Sequence, residues 1–102
     1  MNPMLEIKNG TLIKCYACGY KAVNIPNGIH SIGEKAFFCM DAIRNVVIPD
    51  SVTTIGGGAF EFCGSLTNVE FKSPTGWDTT CDLRSSSEAA TILKTGKALL
   101  KK

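Results

Sequence analysis

No apolar run in these 102 residues approaches the roughly 18 that a membrane span requires, so no membrane insertion is expected. The opening MNPMLEIKNG has no basic segment followed by an apolar one, and it reads as a start without an export signal. Excess charge of one sign is missing too. The 11 Lys and Arg against 9 Asp and Glu leave a formal +2, too little to imply a nucleic-acid partner. There is one histidine, His30, where a hydrolase needs nucleophile, base and orienting group converging on one pocket. The five cysteines are an odd number, which excludes a complete disulfide framework and leaves at least one thiol free.

What is present is a duplication. Val23 to Asn45 reads VNIPNGIHSIGEKAFFCMDAIRN and Val46 to Asn68 reads VVIPDSVTTIGGGAFEFCGSLTN. Pairing each residue with the one 23 further on keeps Val, Ile, Pro, Ile, Gly, Ala, Phe and Asn identical, as with Gly33 and Gly56. A period of that size belongs to repeat architectures in which each unit buries its apolar face on the next.

Within each unit Val23-Asn24-Ile25 and Val46-Val47-Ile48 read as short strands, first and third side chains on one face and the middle one on the other. Pro26 and Pro49, with no amide proton for a ladder, end them. Asn27-Gly28 and Asp50-Ser51 supply turns, after which Ile29 and Ile32, or Val52 and Ile55, return apolar groups inside. Between Gly33 or Gly56 and the next strand there is room only for a short helical turn, with Ala36-Phe37 and Ala59-Phe60 filling the interior. Cys63 shares the register of Met40 and reads as a small buried hydrophobe; Cys39 falls at the position of Phe62. His30 falls at the position of Thr53 in a turn.

The flanks read as covers for the repeats. Asn9-Gly10 within LEIKNGTLIK predicts a two-residue hairpin, with Ile7 opposite Leu12 and both over the first repeat. CYACGYK, Cys15 to Lys21, reads as a link, and its Cys-x-x-Cys-Gly resembles a zinc knuckle without a second Cys-x-x-Cys to complete it. Two ordinary thiols, a metal site that draws on His30, Cys39, Cys63 or Cys81, and a redox pair are the readings left open there. After a third strand, Val69-Glu70-Phe71, the pattern stops. Trp77 is expected over the open end, and a helix capped at Ser85-Ser86-Ser87-Glu88 to run to about Leu100 with Ala89, Ala90 and Leu93 inward. Lys94, Lys97, Lys101 and Lys102 read as a solvated face beside its C-terminal dipole.

The pattern Ile48-Pro49, Val52, Ile55-Gly56, Ala59-Phe60, Cys63, Leu66 resembles the BspA-type leucine-rich repeat of bacterial surface proteins. The resemblance implies an α/β fold: a short right-handed leucine-rich-repeat solenoid with a parallel sheet on its concave side, an N-terminal β-hairpin cap and a C-terminal helical cap. Residues 1–102 are then one domain, with 1–21 as hairpin and link, 22–72 as two repeats plus a third strand, and 73–102 as loop and helix. It also implies cell-surface or secreted proteins, some adhering to host proteins.

The expected function is a non-catalytic module that binds a protein ligand through Asn24, Val47 and Glu70, the middle residues of the three strands. No catalytic residue, metal ligand or cofactor is assigned, and the oligomeric state is left open. A structural or assembly element of a larger surface array is the alternative, with a zinc-knuckle domain behind it.

Overall fold

The computed structural model describes residues 4–16 and 19–101; Cys18 and Lys102, named above, lie outside them. Eight strands and one helix follow in the order β1 (Met4–Lys8), β2 (Thr11–Tyr16), β3 (Ala22–Asn24), β4 (Ser31–Ile32), β5 (Asn45–Ile48), β6 (Thr54–Ile55), β7 (Asn68–Phe71), α1 (Ser86–Lys94) and β8 (Leu99–Leu100). They form two sheets, β3-β5-β7 and β1-β2-β4-β6-β8. The first is parallel throughout, with Asn24, Val47 and Glu70 in register. The second has a parallel centre, in which Leu12, Ile32 and Ile55 align, and an antiparallel strand on each side.

Each repeat therefore gives one strand to each sheet, where the sequence suggests a single sheet. The missed strands, β4 and β6, are two residues long, too short to show alternation. Backbone bonds then join repeat to repeat at or near the 23-residue offset: Arg44 N–H donates to Lys21 O (2.7 Å), Thr67 N–H to Arg44 O (3.0 Å), and Thr53 N–H to His30 O (2.9 Å). Val23, Val46 and Val69 point inward in one column, and Ile32 and Ile55 in another; all are buried. The stacked rings of Phe37 and Phe60, 4.7 Å apart and 9° from parallel, fill the middle. The predicted helical turn before each strand of the first sheet is a run of tight turns, such as Ala36 N–H to Gly33 O and Phe38 N–H to Lys35 O. Lys35, Cys39 and Phe62 stand in the left-handed region there, with φ of 56°, 60° and 62°, which a helix does not contain.

The hairpin forms as its Asn-Gly requires, with φ of 53° at Asn9 and 77° at Gly10. Ile7 does face Leu12, but a register shift between Glu6 and Ile7 makes Ile13 an extra residue on β2. That bulge turns both Leu12 and Cys15 inward. Ile7 remains 45% exposed rather than covering the repeat, while Leu5 of the same strand packs against the core. Cys15 belongs to β2 and is buried, so the link begins after Tyr16.

At the other end α1 packs on β7 through Ala89, Ala90 and Leu93, as expected. Ser85 is its N-cap and accepts from Glu88 N–H. The helix stops at Lys94 rather than near Leu100, because Gly96 adopts φ +83° and its N–H returns to Leu93 O. The chain then pairs as β8 with β6, Leu99 opposite Ile55 and Leu100 opposite Thr54. Trp77 is buried edge-on against Phe71 (5.4 Å, 74°), and its Nε1 donates to Ser73 O. Lys101 leaves the expected solvated face: its Nζ lies 5.8 Å from the Trp77 ring centroid and donates to Ser73 Oγ at 2.7 Å.

Candidate functional site

The outer face of β3-β5-β7 is built by alternation. Since Val23, Val46 and Val69 fill the interior, their neighbours must turn out. The structure brings Asn24, Val47 and Glu70 into one row across the three strands, Asn24 and Glu70 exposed and Val47 half-buried. Glu70 pairs with Lys72 at 2.9 Å, both side chains more than half exposed, a contact in high dielectric that contributes little to stability.

Sequence reasoning missed the row beside it. Each strand starts one residue earlier than the Val-x-Ile pattern indicates, so Ala22, Asn45 and Asn68 form a second outward row. Asn68 Nδ2 donates to Asn45 Oδ1 at 3.0 Å, which orients both amides along the stack. The repeated Asn at the end of each duplicated unit was the available signal. The face thus offers amides beside an apolar centre and an acid at one edge, a surface suited to polar and backbone contacts.

The remaining candidates lie elsewhere. His30 is exposed just before β4, past the turn at Asn27-Gly28; its backbone N–H donates to Gly10 O, and a Cβ on Gly10 would stand 2.8 Å from the ring's Cδ2. Among the described residues no three or more His, Cys, Asp and Glu side chains are gathered as a metal site. Cys15, Cys39, Cys63 and Cys81 are free thiols, the first and third buried, Cys39 exposed. The Cys63 thiol donates to Phe37 O at 2.9 Å, inside the column where the sequence places it. Burial, with the neighbouring thiol Cys63 adding to it, pushes Cys15 up to about 11; burial does the same to Cys63. Both stay protonated and unreactive at neutral pH. A thiol reagent at pH 7 is expected to modify Cys39 first of these four and to reach Cys15 and Cys63 only on unfolding; equal native rates would contradict the burial.

The same two thiols give a stability slope. Because the folded state holds their protons more tightly than the unfolded chain, their contribution is full below about pH 9 and is lost as pH rises through about 11. A two-unit rise corresponds to about 2–3 kcal/mol per thiol. Urea unfolding at pH 7, 9 and 10.5 should show this fall, and Cys63→Ala should flatten it; an unchanged slope in that variant would refute the assignment.

No helix among the described residues is long and apolar enough to cross a membrane. Comparison with curated proteins and with solved structures returned no match. The family described as BspA type leucine rich repeat region (6 copies) matches residues 7–81, which takes in the hairpin's second strand, both repeats and the loop beyond β7. With most of its length matched, the chain belongs to the BspA-type leucine-rich-repeat family.

Proposed function

We propose that this chain is a short leucine-rich-repeat solenoid serving as a non-catalytic protein-binding module of adhesion type, cell-surface or secreted. Residues 1–21 close one end, 22–72 carry the repeats and third strand, and 73–102 close the other, with β8 adding to the expected helix. The observation that carries the reading is the pair of outward rows, Asn24–Val47–Glu70 and Ala22–Asn45–Asn68, on a sheet to which every repeat contributes alike. Family membership supports protein binding as the use of such a face.

Size limits its strength. Three strands at about 4.8 Å spacing expose a few hundred square ångströms, against roughly 800 Å² per partner in a stable complex. One copy binds weakly, and several copies displayed together act through avidity.

The test is a binding screen of the immobilised chain against a panel of extracellular-matrix and serum proteins. Val47→Arg and Asn45→Arg should each lower affinity for whichever protein binds by at least about tenfold while stability changes by no more than about 1 kcal/mol. Lys97→Glu, beyond α1, serves as the control. Binding insensitive to both changes would remove the site, and no binding at all would remove the function.

A further inference from the structure

The third repeat begins and is then interrupted. β7 carries the pattern on in the first sheet, and 23 residues beyond Thr54 and Ile55 of β6 stand Trp77 and Asp78. By the repeat, these two belong in the next parallel strand of the β2-β4-β6 ladder. The backbone bonds run otherwise. Thr53 N–H donates to His30 O, so by the same offset Gly76 N–H is the donor expected at Thr53 O; the donor found there is Lys101 N–H, at 2.7 Å. On its other side the intruding segment meets the displaced residues: Asp78 N–H donates to Leu100 O at 2.8 Å, and Trp77 bridges to Lys101. β8 is therefore wedged between the second repeat and the third, antiparallel to β6 where the repeats run parallel.

The side chains account for the wedge. Ile32 and Ile55 are buried in one column, and the residue next in that column is Asp78, an exposed carboxylate that an apolar interior would not accept without a large desolvation cost. Leu99 supplies the missing group. It stands opposite Ile55 and is 1% exposed, while Leu100 beside it points outward.

The hold on this segment is local. Gly96 has already ended α1 before it begins, Leu99 is its buried side chain, and Lys101 anchors its end through Ser73 Oγ. The walls on either side have supports of their own: β6 pairs with β4, and Trp77 is held by the Phe71 ring and by Ser73 O. A groove of about 470 Å³ remains alongside, bordered by Gly56, Asp78, Ala98 and Leu99, so the segment does not fill the gap between the repeats. A two-residue strand held in this way opens before the rest of the fold does.

We propose that residues 97–101 form a replaceable strand, and that the slot between β6 and the Trp77-Asp78 pair is a peptide-binding site that takes the same segment from outside the chain. Recognition is by strand addition, with backbone bonds to Thr53 and Asp78, an inward leucine against Ile55, and a lysine beside Ser73 over the Trp77 ring. The chain's own segment, tethered at high local concentration, masks the site. This slot belongs to the second sheet, apart from the outer rows of β3-β5-β7.

The test uses the full chain, labelled with ¹⁵N and carrying Leu99→Ser to loosen its own strand, with the peptide TGKALLKK (residues 95–102) as the probe. The peptide should shift the amide signals of Thr54, Ile55 and Asp78 and saturate below about 1 mM. The parent chain, whose slot is occupied, should bind at least about tenfold more weakly. Binding should be lost when the peptide carries Leu99→Ser and kept when it carries Leu100→Ser. Where Leu99→Ser fails to fold, Lys101→Glu, which removes the anchor on Ser73, takes its place. No shift at those amides, equal affinity of variant and parent, or indifference to which leucine is changed would each overturn the inference. So would failure of both variants to fold, because the segment would then be part of the core.

Discussion

Gly56→Ala is expected to destabilise the fold by about 3 kcal/mol or more, enough to take a domain of this size to the edge of unfolding. A Cβ at Gly56 would stand 2.6 Å from Glu34 N and 3.0 Å from Glu34 Cα and Gly33 C. All three are backbone atoms of the neighbouring repeat, so no side chain can swing away to make room. The only relief is to part the repeats where Gly56 N–H donates to Ile32 O at 2.7 Å. Gly33 has a milder version of the same contact, 3.1 Å to Leu12 O, and Gly64 has no atom within 4 Å of its notional Cβ. Urea unfolding should therefore rank the alanine variants Gly56, Gly33, Gly64 in falling order of damage, with Gly64→Ala within about 0.5 kcal/mol of the parent. A Gly56→Ala protein within 1 kcal/mol of the parent would refute the close approach as the reason for glycine there.

Phe60→Ala should cost about 3–5 kcal/mol, as should Phe37→Ala, since each leaves a ring-sized cavity between faces that cannot collapse. Both rings are fully buried and stacked on each other. The stack adds about 0.5–1.5 kcal/mol beyond area, so the double variant should lose less than the sum of the singles. Strict additivity in that cycle would show that the rings do not support one another. Phe62, two residues beyond Phe60, tests the opposite case: it is 62% exposed at φ +62°, so Phe62→Gly should leave the fold as stable as before or more so.

How far the sequence discloses this molecule depends on whether a feature repeats. The repeat period, the strands that hold Val23, Val46 and Val69, the inward Ile32 and Ile55, and the buried Cys63 are all legible, because each position is stated at least twice. The Asn9-Gly10 turn is legible for a different reason, being fixed by local backbone preference alone. What escapes is set by single, non-local pairings. β8 forms only because Gly96 reverses the chain, and a glycine inside an otherwise helical run was not read as the stop that its φ of +83° makes it. Ile7 looks like a covering residue until the bulge at β2 rotates the strand, which depends on Cys15 being drawn inward against Ala36. At the candidate face, Asn24, Val47 and Glu70 were legible from alternation, whereas Ala22, Asn45 and Asn68 required the true strand starts.

The antiparallel strands β1 and β8 on either side of the β2-β4-β6 ladder carry a consequence for how such a gene can change. The backbone bonds between the repeats link positions at or near the 23-residue offset of successive units, as Arg44 to Lys21 and Thr67 to Arg44 do. A whole extra unit of 23 residues spliced in beside Asn45 would meet the same partners above and below, while β1 and β8 would still bound the ladder. An insertion of any other length has to be absorbed within one connection, as the shorter path from Leu12 to Ala22 is, or the later residues lose their partners. Duplication and loss in whole units, rather than drift in length, is the route by which such a chain grows or shrinks, and the terminal strands travel unchanged.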